Sequence, residues 1–463
     1  MQRTQRHHSR WFFLLSCCLV IFLAACSAQP ASGGGSGQTG TGGSTPGATP
    51  TKASQGGTSG QPNSMPPTST NCPTINSGRA AVLKTLALGS DQNLVYVYKD
   101  PSSTWHLRRY DARTGQKTDI YTTSSGQIED AQISADGQWV VFLLNFYPAM
   151  RTEASAKIQL IRMDSQGLQT LYCFSTNEAY SQFGGGSGAG ASLPVGLQLS
   201  IDQKSLLFSV DTNNHESTVY DLNMGSGKVQ EVYQDTVDPL YTTSIVTWLD
   251  NSDAYLLTQG RTQPAPPATI RLLNVAEALT NASYQPTQVF QGGGRQHELS
   301  VDTSFDGATL YTDDCLLAGS PYKTTVMAQS SHAGGVSQTL YQPPASLCVD
   351  AIRVISNNAM LMLVTDQNVS SSVIQHEVWT MNLNGTAQHG LVTLPTNDSL
   401  YQFNPNSQYV WSNVSRDGSM YALQQETNNN TENLVFGPVN GGNVTTLASS
   451  SANTLMQVGW TTM

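Results

Sequence analysis

A turn built from Ser, Asp, Asn and Gly recurs seven times in this chain, and an apolar strand follows each copy. The turns read Ser90-Asp91-Gln92-Asn93, Ser134-Ala135-Asp136-Gly137, Ser200-Ile201-Asp202-Gln203 and Leu249-Asp250-Asn251-Ser252. Ser304-Phe305-Asp306-Gly307, Ser356-Asn357-Asn358-Ala359 and Ser415-Arg416-Asp417-Gly418 complete the set, at spacings between 44 and 66 residues. The strands after them are Leu94–Tyr98, Trp139–Leu143, Leu206–Val210, Tyr255–Thr258, Thr309–Tyr311, Met360–Val364 and Met420–Leu423. A further strand and a glycine-bearing hairpin follow, as at Ile158–Met163 before Asp164-Ser165-Gln166-Gly167; such glycines permit the positive φ of tight turns. A last short strand closes each unit, for example Thr118–Tyr121 or Thr170–Tyr172. Four antiparallel strands in about 50 residues is the pattern of a β-propeller blade. The expected fold is therefore all-β, a propeller of four-stranded antiparallel blades.

Blade number follows from the last residues. Met456–Trp460 matches the short strand that precedes a turn, as Ile245–Trp248 does. Seven blades result if this strand completes a blade begun near residue 90, which also removes open sheet edges. Six or eight remain as alternatives, because Val82–Ala87 also reads as a first strand and both cannot fill one slot.

These units resemble the repeat of the TolB-type (WD-repeat-like) propeller family: a short strand, a Ser-Pro-Asp-Gly-like turn, an apolar strand and a Gly-containing hairpin. Ser134–Gly137 and Ser415–Gly418 match best, the units at Leu249 and Ser356 are degenerate, and the family's turn proline is missing throughout. The resemblance implies a fold over residues 81–463 and specifies no activity.

The N-terminal residues set the address. Arg3, Arg6 and Arg10 precede an apolar run from Trp11 to Ala25, too short for a bilayer core that needs about 20 residues. A basic stretch before a short apolar one reads as an export signal. It ends in Leu23-Ala24-Ala25-Cys26, which resembles the lipobox of bacterial lipoproteins, where the cysteine is acylated. The resemblance implies residues 1–25 as signal peptide, Cys26 as lipidation site and the bilayer as a partner, facing the extracytoplasmic side. Several acyl chains on one residue anchor stably. Residues 26–71 then read as lipidated Cys plus flexible linker, since Ser27–Asn71 holds 11 Gly and a single charge, Lys52. The propeller domain spans 72–463.

Without residues 1–25 the chain has four cysteines besides Cys26: Cys72, Cys173, Cys315 and Cys348. An exported chain with four admits two disulfides in three connectivities. The favoured pairing joins Cys315 to Cys348 across neighbouring blades, which leaves Cys72 to join Cys173; buried reduced thiols are the alternative. No pair has C-x-x-C spacing, so no zinc ribbon is expected.

Composition narrows function mainly by exclusion. Only 12% of residues are charged and the net charge is -10, which speaks against nucleic acid as a partner. No G-x-S-x-G elbow or phosphate-cradling loop before a helix occurs, and the Gly184–Gly190 stretch reads as an inter-blade loop. His215-Glu216, His297-Glu298, His376-Glu377 and Asp313-Asp314 could suggest metal ligation. Adjacent strand residues point to opposite faces, however, so these are read as solvated or strand-end groups, with no metal and no cofactor expected. Glu129, Asp130, Glu298, Asp302 and Asp350 lie on or beside first strands, where glycosidase propellers place paired carboxylates. Trp248, Trp411 and Trp460 end first strands and are read as packing between blades. The leading expectation is a monomeric, non-catalytic binding or scaffold module for a protein, peptide or glycan. The alternative is a propeller enzyme, a glycoside hydrolase or lactonase, with carboxylates or a divalent ion in the central cavity.

Overall fold

A computed structural model describes residues 71–74, 86–87, 89–146, 156–174, 194–211, 217–235, 241–260, 267–292, 297–316, 323–332, 335–366, 375–393, 399–402, 413–427, 431–451 and 454–463. The signal, Cys26, almost all of the linker, the His215-Glu216 pair, the Gly184–Gly190 stretch and Trp411 lie outside them, as does all of Val82–Ala87 but Leu86 and Ala87.

Among the described residues, twenty-eight strands form seven four-stranded antiparallel sheets. Blade I is assembled from both ends of the repeat region: β28 (Leu455–Thr461), then β1 (Asn93–Lys99), β2 (Trp105–Asp111) and β3 (Lys117–Thr123). Blade II runs through β4 (Gln127–Ile133), β5 (Trp139–Asn145), β6 (Ala156–Arg162) and β7 (Gln169–Phe174). Blade III has β8 (Pro194–Leu199), β9 (Ser205–Asp211), β10 (Ser217–Asn223) and β11 (Val229–Gln234). Blade IV has β12 (Tyr241–Trp248), β13 (Asp253–Gly260), β14 (Thr269–Asn274) and β15 (Thr287–Gln291), with a one-turn helix α1 (Val275–Thr280) between the last two. Blade V comprises β16 (His297–Thr303), β17 (Thr309–Leu316), β18 (Lys323–Ser330) and β19 (Gln338–Tyr341). Blade VI comprises β20 (Leu347–Val354), β21 (Ala359–Asp366), β22 (Gln375–Asn382) and β23 (His389–Thr393). Blade VII comprises β24 (Ser399–Gln402), β25 (Met420–Thr427), β26 (Thr431–Pro438) and β27 (Thr445–Ser451).

The slot that two segments competed for is filled by the C-terminal strand. Leu94 of β1 faces Tyr110 on one side and Trp460 on the other, so β1 is paired on both edges. Each sheet shifts register once between its third and fourth strands, and such bulges increase the right-handed twist a blade needs.

The core lies between blades, which explains the sequence pattern. The second strand of blade II, Trp-Val-Val-Phe-Leu-Leu, is buried at every position because both faces meet a neighbouring sheet. Outer β3 instead is buried only at Ile120 and Thr123. Trp460 packs with Tyr96 and Phe436 between blades I and VII. Trp248 packs with Leu207 and Val219 between blades III and IV, and its Nε1 donates to the Gln198 carbonyl oxygen at 2.9 Å. Both tryptophans are thus inter-blade packing residues. Gly385 sits at φ 79°, and a Cβ there would run into the Leu340 carbonyl, so glycine lets the outer turn of blade VI close on blade V.

Two disulfides close, Cys72–Cys173 and Cys315–Cys348, with Cα separations of 5.7 and 5.8 Å. Cys348 lies within inner strand β20, and Asp313-Asp314 lies within β17. Structural disulfides are the chemistry of an oxidising, extracytoplasmic compartment. No described helix is long and apolar enough to cross a membrane.

Candidate binding face

Six of the seven repeat turns lie between the first and second strands of a blade, and the seventh, Ser90–Asn93, leads into the second strand of blade I, so all share one face of the ring with the connections between third and fourth strands. Their hydrogen bonds explain the motif. In blade II, Ser134 Oγ accepts the N–H of Trp139 at 3.0 Å and Asp136 accepts that of Gln138 at 3.1 Å. Blades III, V and VII repeat the serine cap, from Ser205 N to Ser200, Thr309 N to Ser304 and Met420 N to Ser415. The Ser304 hydroxyl and the Ala308 N–H hold the Asp306 carboxyl below the usual range. The turn aspartates are consumed in this way, and the residue after the serine is left at the tip: Ala135, Ile201, Phe305 and Arg416.

Blades IV and VI have shorter turns, closed by Leu249 N to Asp253 O and Ile355 N to Ala359 O. That one-residue deletion is why they look degenerate in sequence. In blade VI Ser356 Oγ accepts the N–H groups of Asn358 and Ala359. In blade IV Asp250 takes the same capping place, its Oδ1 accepting from Ser252 N at 2.7 Å and Asp253 N at 2.8 Å.

Two features distinguish this face over blades III to V. The large apolar residues exposed among the described positions are Ile201 (43%), Phe305 (36%) and Val336 (96%), and all three lie here. Ile201 and Phe305 occupy equivalent turn tips on either side of blade IV, and Val336 is in the connection from β18 to β19. Between them, ligand atoms of Asp250, Asp253 and His332 lie within 4.8 Å of one another. Asp253 Oδ1 accepts from Asn274 Nδ2 at 2.7 Å. Its carboxyl is raised above the usual range by burial and then by the charge of Asp250.

The acids that the enzyme alternative would place in the central cavity do other work. Asp130 is buried and accepts the N–H of Leu197, on the inner strand of the next blade, at 2.9 Å. Asp302 is equally buried and accepts the N–H of Val354 in blade VI at 2.7 Å. Burial pushes its carboxyl up to about 6, against the opposing pull of Arg353. Glu129 accepts from Asn145 Nδ2 at 3.1 Å, and Asp350 from Thr365 Oγ1, which also meets His376 Nδ1 at 3.0 Å. Glu377 takes the Trp379 indole N–H, and Asp313 takes the Ser300 hydroxyl. The side chains of His297 and Glu298 lie outside the described residues. Among the described residues, these acids form no group of three with converging ligand atoms. The group that does form was missed in sequence because its aspartates sit in an atypical turn and its histidine in the next blade. The signal available was the second acid, Asp253, placed just after the turn.

No protein-family model matches the chain, and no curated protein is similar to it in sequence. Solved structures do resemble it. One is a prolyl endopeptidase studied for the role of inter-domain dynamics in catalysis, at 10% identity and a TM-score of 0.52, covering 81% of this chain and 50% of that one. A second is TolB from Acinetobacter baumannii, at 14% identity and TM-score 0.39, covering 65% of this chain and 63% of that one. A third is the periplasmic gluconolactonase PpgL of Pseudomonas aeruginosa, at 15% identity and TM-score 0.49, over 80% and 99% of the two chains. The chain thus spans half the length of the endopeptidase, and that likeness supports the propeller fold alone.

Proposed function

We propose that this protein is a lipid-anchored, extracytoplasmic binding module that presents the turn face of blades III to V to a protein or peptide ligand, without catalysing a reaction. One observation carries the reading: the exposed large apolar side chains, Ile201, Phe305 and Val336, share that face. Exposed apolar residues grouped on one surface mark interaction sites far better than single ones do. The inner-strand acids give no support to hydrolysis, because Asp130 and Asp302 are committed to inter-blade hydrogen bonds. Anchoring rests on the Leu23-Ala24-Ala25-Cys26 motif, with Ser27–Asn71 as tether.

Photo-crosslinking in the producing cell tests the face. A crosslinker replacing Phe305 should capture a defined partner. The same group at Ser102, an exposed residue of the β1–β2 connection on the opposite face, should not. Equal capture from both positions, or none from Phe305, would overturn the assignment.

A further inference from the structure

We infer that Asp250, Asp253 and His332 form a binding site for a divalent transition-metal ion, zinc foremost, which bridges blades IV and V. The inference stands on the geometry of these residues and not on the binding role proposed above.

Each ligand is held at one atom by a separate contact, and one ligand atom of each lies within 4.8 Å of the others. Asp250 Oδ1 is held by two turn N–H groups, at 2.7 and 2.8 Å. Asp253 Oδ1 is held by Asn274, itself at the end of β14. His332 Nδ1 lies 2.9 Å from Ser331 Oγ, and in the tautomer where Nδ1–H donates to that oxygen Nε2 is the ligand nitrogen. Ser331 is in turn fixed to blade IV, where the Tyr255 hydroxyl donates to its carbonyl oxygen at 2.6 Å. The histidine from blade V is therefore held beside the aspartates of blade IV before any ion arrives. Such orientation of ligands by outer contacts is what raises metal affinity.

The donor set decides the class of ion. One imidazole nitrogen and two carboxylate oxygens suit Zn²⁺, Mn²⁺ or Co²⁺, whereas Ca²⁺ and Mg²⁺ prefer oxygen alone. Two aspartates whose oxygens converge repel one another, and a dication between them removes that repulsion. His332 is exposed and Asp253 half-buried, so water can complete a tetrahedral shell.

The test uses the full-length chain in detergent, stripped with EDTA and dialysed against ZnCl₂, with metal counted by mass spectrometry. One zinc per chain is expected, with binding weakened at least tenfold in His332→Ala and in Asp250→Asn. At zinc 100-fold above its Kd the wild type should gain about 3 °C in Tm, and neither variant should gain more than about 2 °C. Co²⁺ should give the wild type a visible d–d spectrum, a readout that needs no variant. No bound metal in the wild type overturns the site. Equal retention by both variants also overturns it, because it would place the metal elsewhere on the chain. Calcium bound as tightly as zinc would contradict the role of His332.

Discussion

Arg416 holds the ring shut where the two ends of the repeat region meet. It lies at the turn tip of blade VII, yet its guanidinium crosses blade I to reach blade II. Nη1 donates to the Ala135 carbonyl oxygen at 2.6 Å, Nη2 to that of Ser134 at 3.3 Å, and Nε to that of Trp460 at 3.2 Å. Three blades are therefore joined by one side chain at the seam that β28 closes. Hydrogen bonds from a charged donor contribute roughly 1.5–3 kcal/mol each when buried, and less when water competes. Arg416 is half-buried, and one of its three contacts is short, so Arg416→Ala should cost about 2–3 kcal/mol. For a folded unit of Met65–Met463, at about 2.1 cal/mol/K of unfolding entropy per residue, that corresponds to a Tm lower by about 3 °C. Scanning calorimetry measures the shift, and amide hydrogen exchange should show faster exchange concentrated in β28. Arg113→Ala is the control. Arg113 is 68% exposed and pairs with an exposed Asp91, so its Tm should stay within 1 °C. A normal Tm for Arg416→Ala, or equal losses for both variants, would refute the seam role.

Other outcomes follow from the same geometry. Asp221 is buried and desolvation pushes its carboxyl up to about 6, so it opposes folding at neutral pH. This group favours the folded state below about pH 4 and loses that contribution as pH rises through 6. Asp221→Asn should therefore stabilise the protein by up to about 3 kcal/mol at pH 7.5 in urea titrations, with the gain vanishing near pH 4; destabilisation at pH 7.5 would contradict this. Replacing both Cys315 and Cys348 by Ser opens a 33-residue loop and should cost up to about 4 kcal/mol by the chain-entropy relation, read as a lower urea midpoint. Cys26→Ser should move the protein from the membrane to the soluble fraction, and continued membrane fractionation would refute the anchor.

The propeller was legible in sequence because blade packing is periodic. Middle strands such as Trp139–Asn145 are covered on both faces and read as unbroken apolar runs, and the Ser-X-Asp cap leaves a mark in the long turns of blades II, III, V and VII. Trp460 and Leu455–Thr461 announced the closure of blade I because they repeat the inner-strand pattern. What sequence could not show was which acids converge. Asp302 and Asp350 look alike on inner strands, yet one is spent on the N–H of Val354 and the other on Thr365. Nor could spacing alone bring His332 to Asp250, since that meeting depends on how blade V packs against blade IV. The shortened turn at Leu249 concealed the capping role of Asp250 for a simpler reason: deleting one residue shifts the motif out of register.

The binding face is tested most directly by measuring affinity for the partner that Phe305 crosslinks. Calorimetry would compare the wild type with a variant carrying Ile201→Ser, Phe305→Ser and Val336→Ser. Losing burial of three apolar side chains at an interface should weaken binding about 100-fold or more, while Tm stays within 1 °C because all three are exposed. Unchanged affinity in that variant would contradict the assignment of this face.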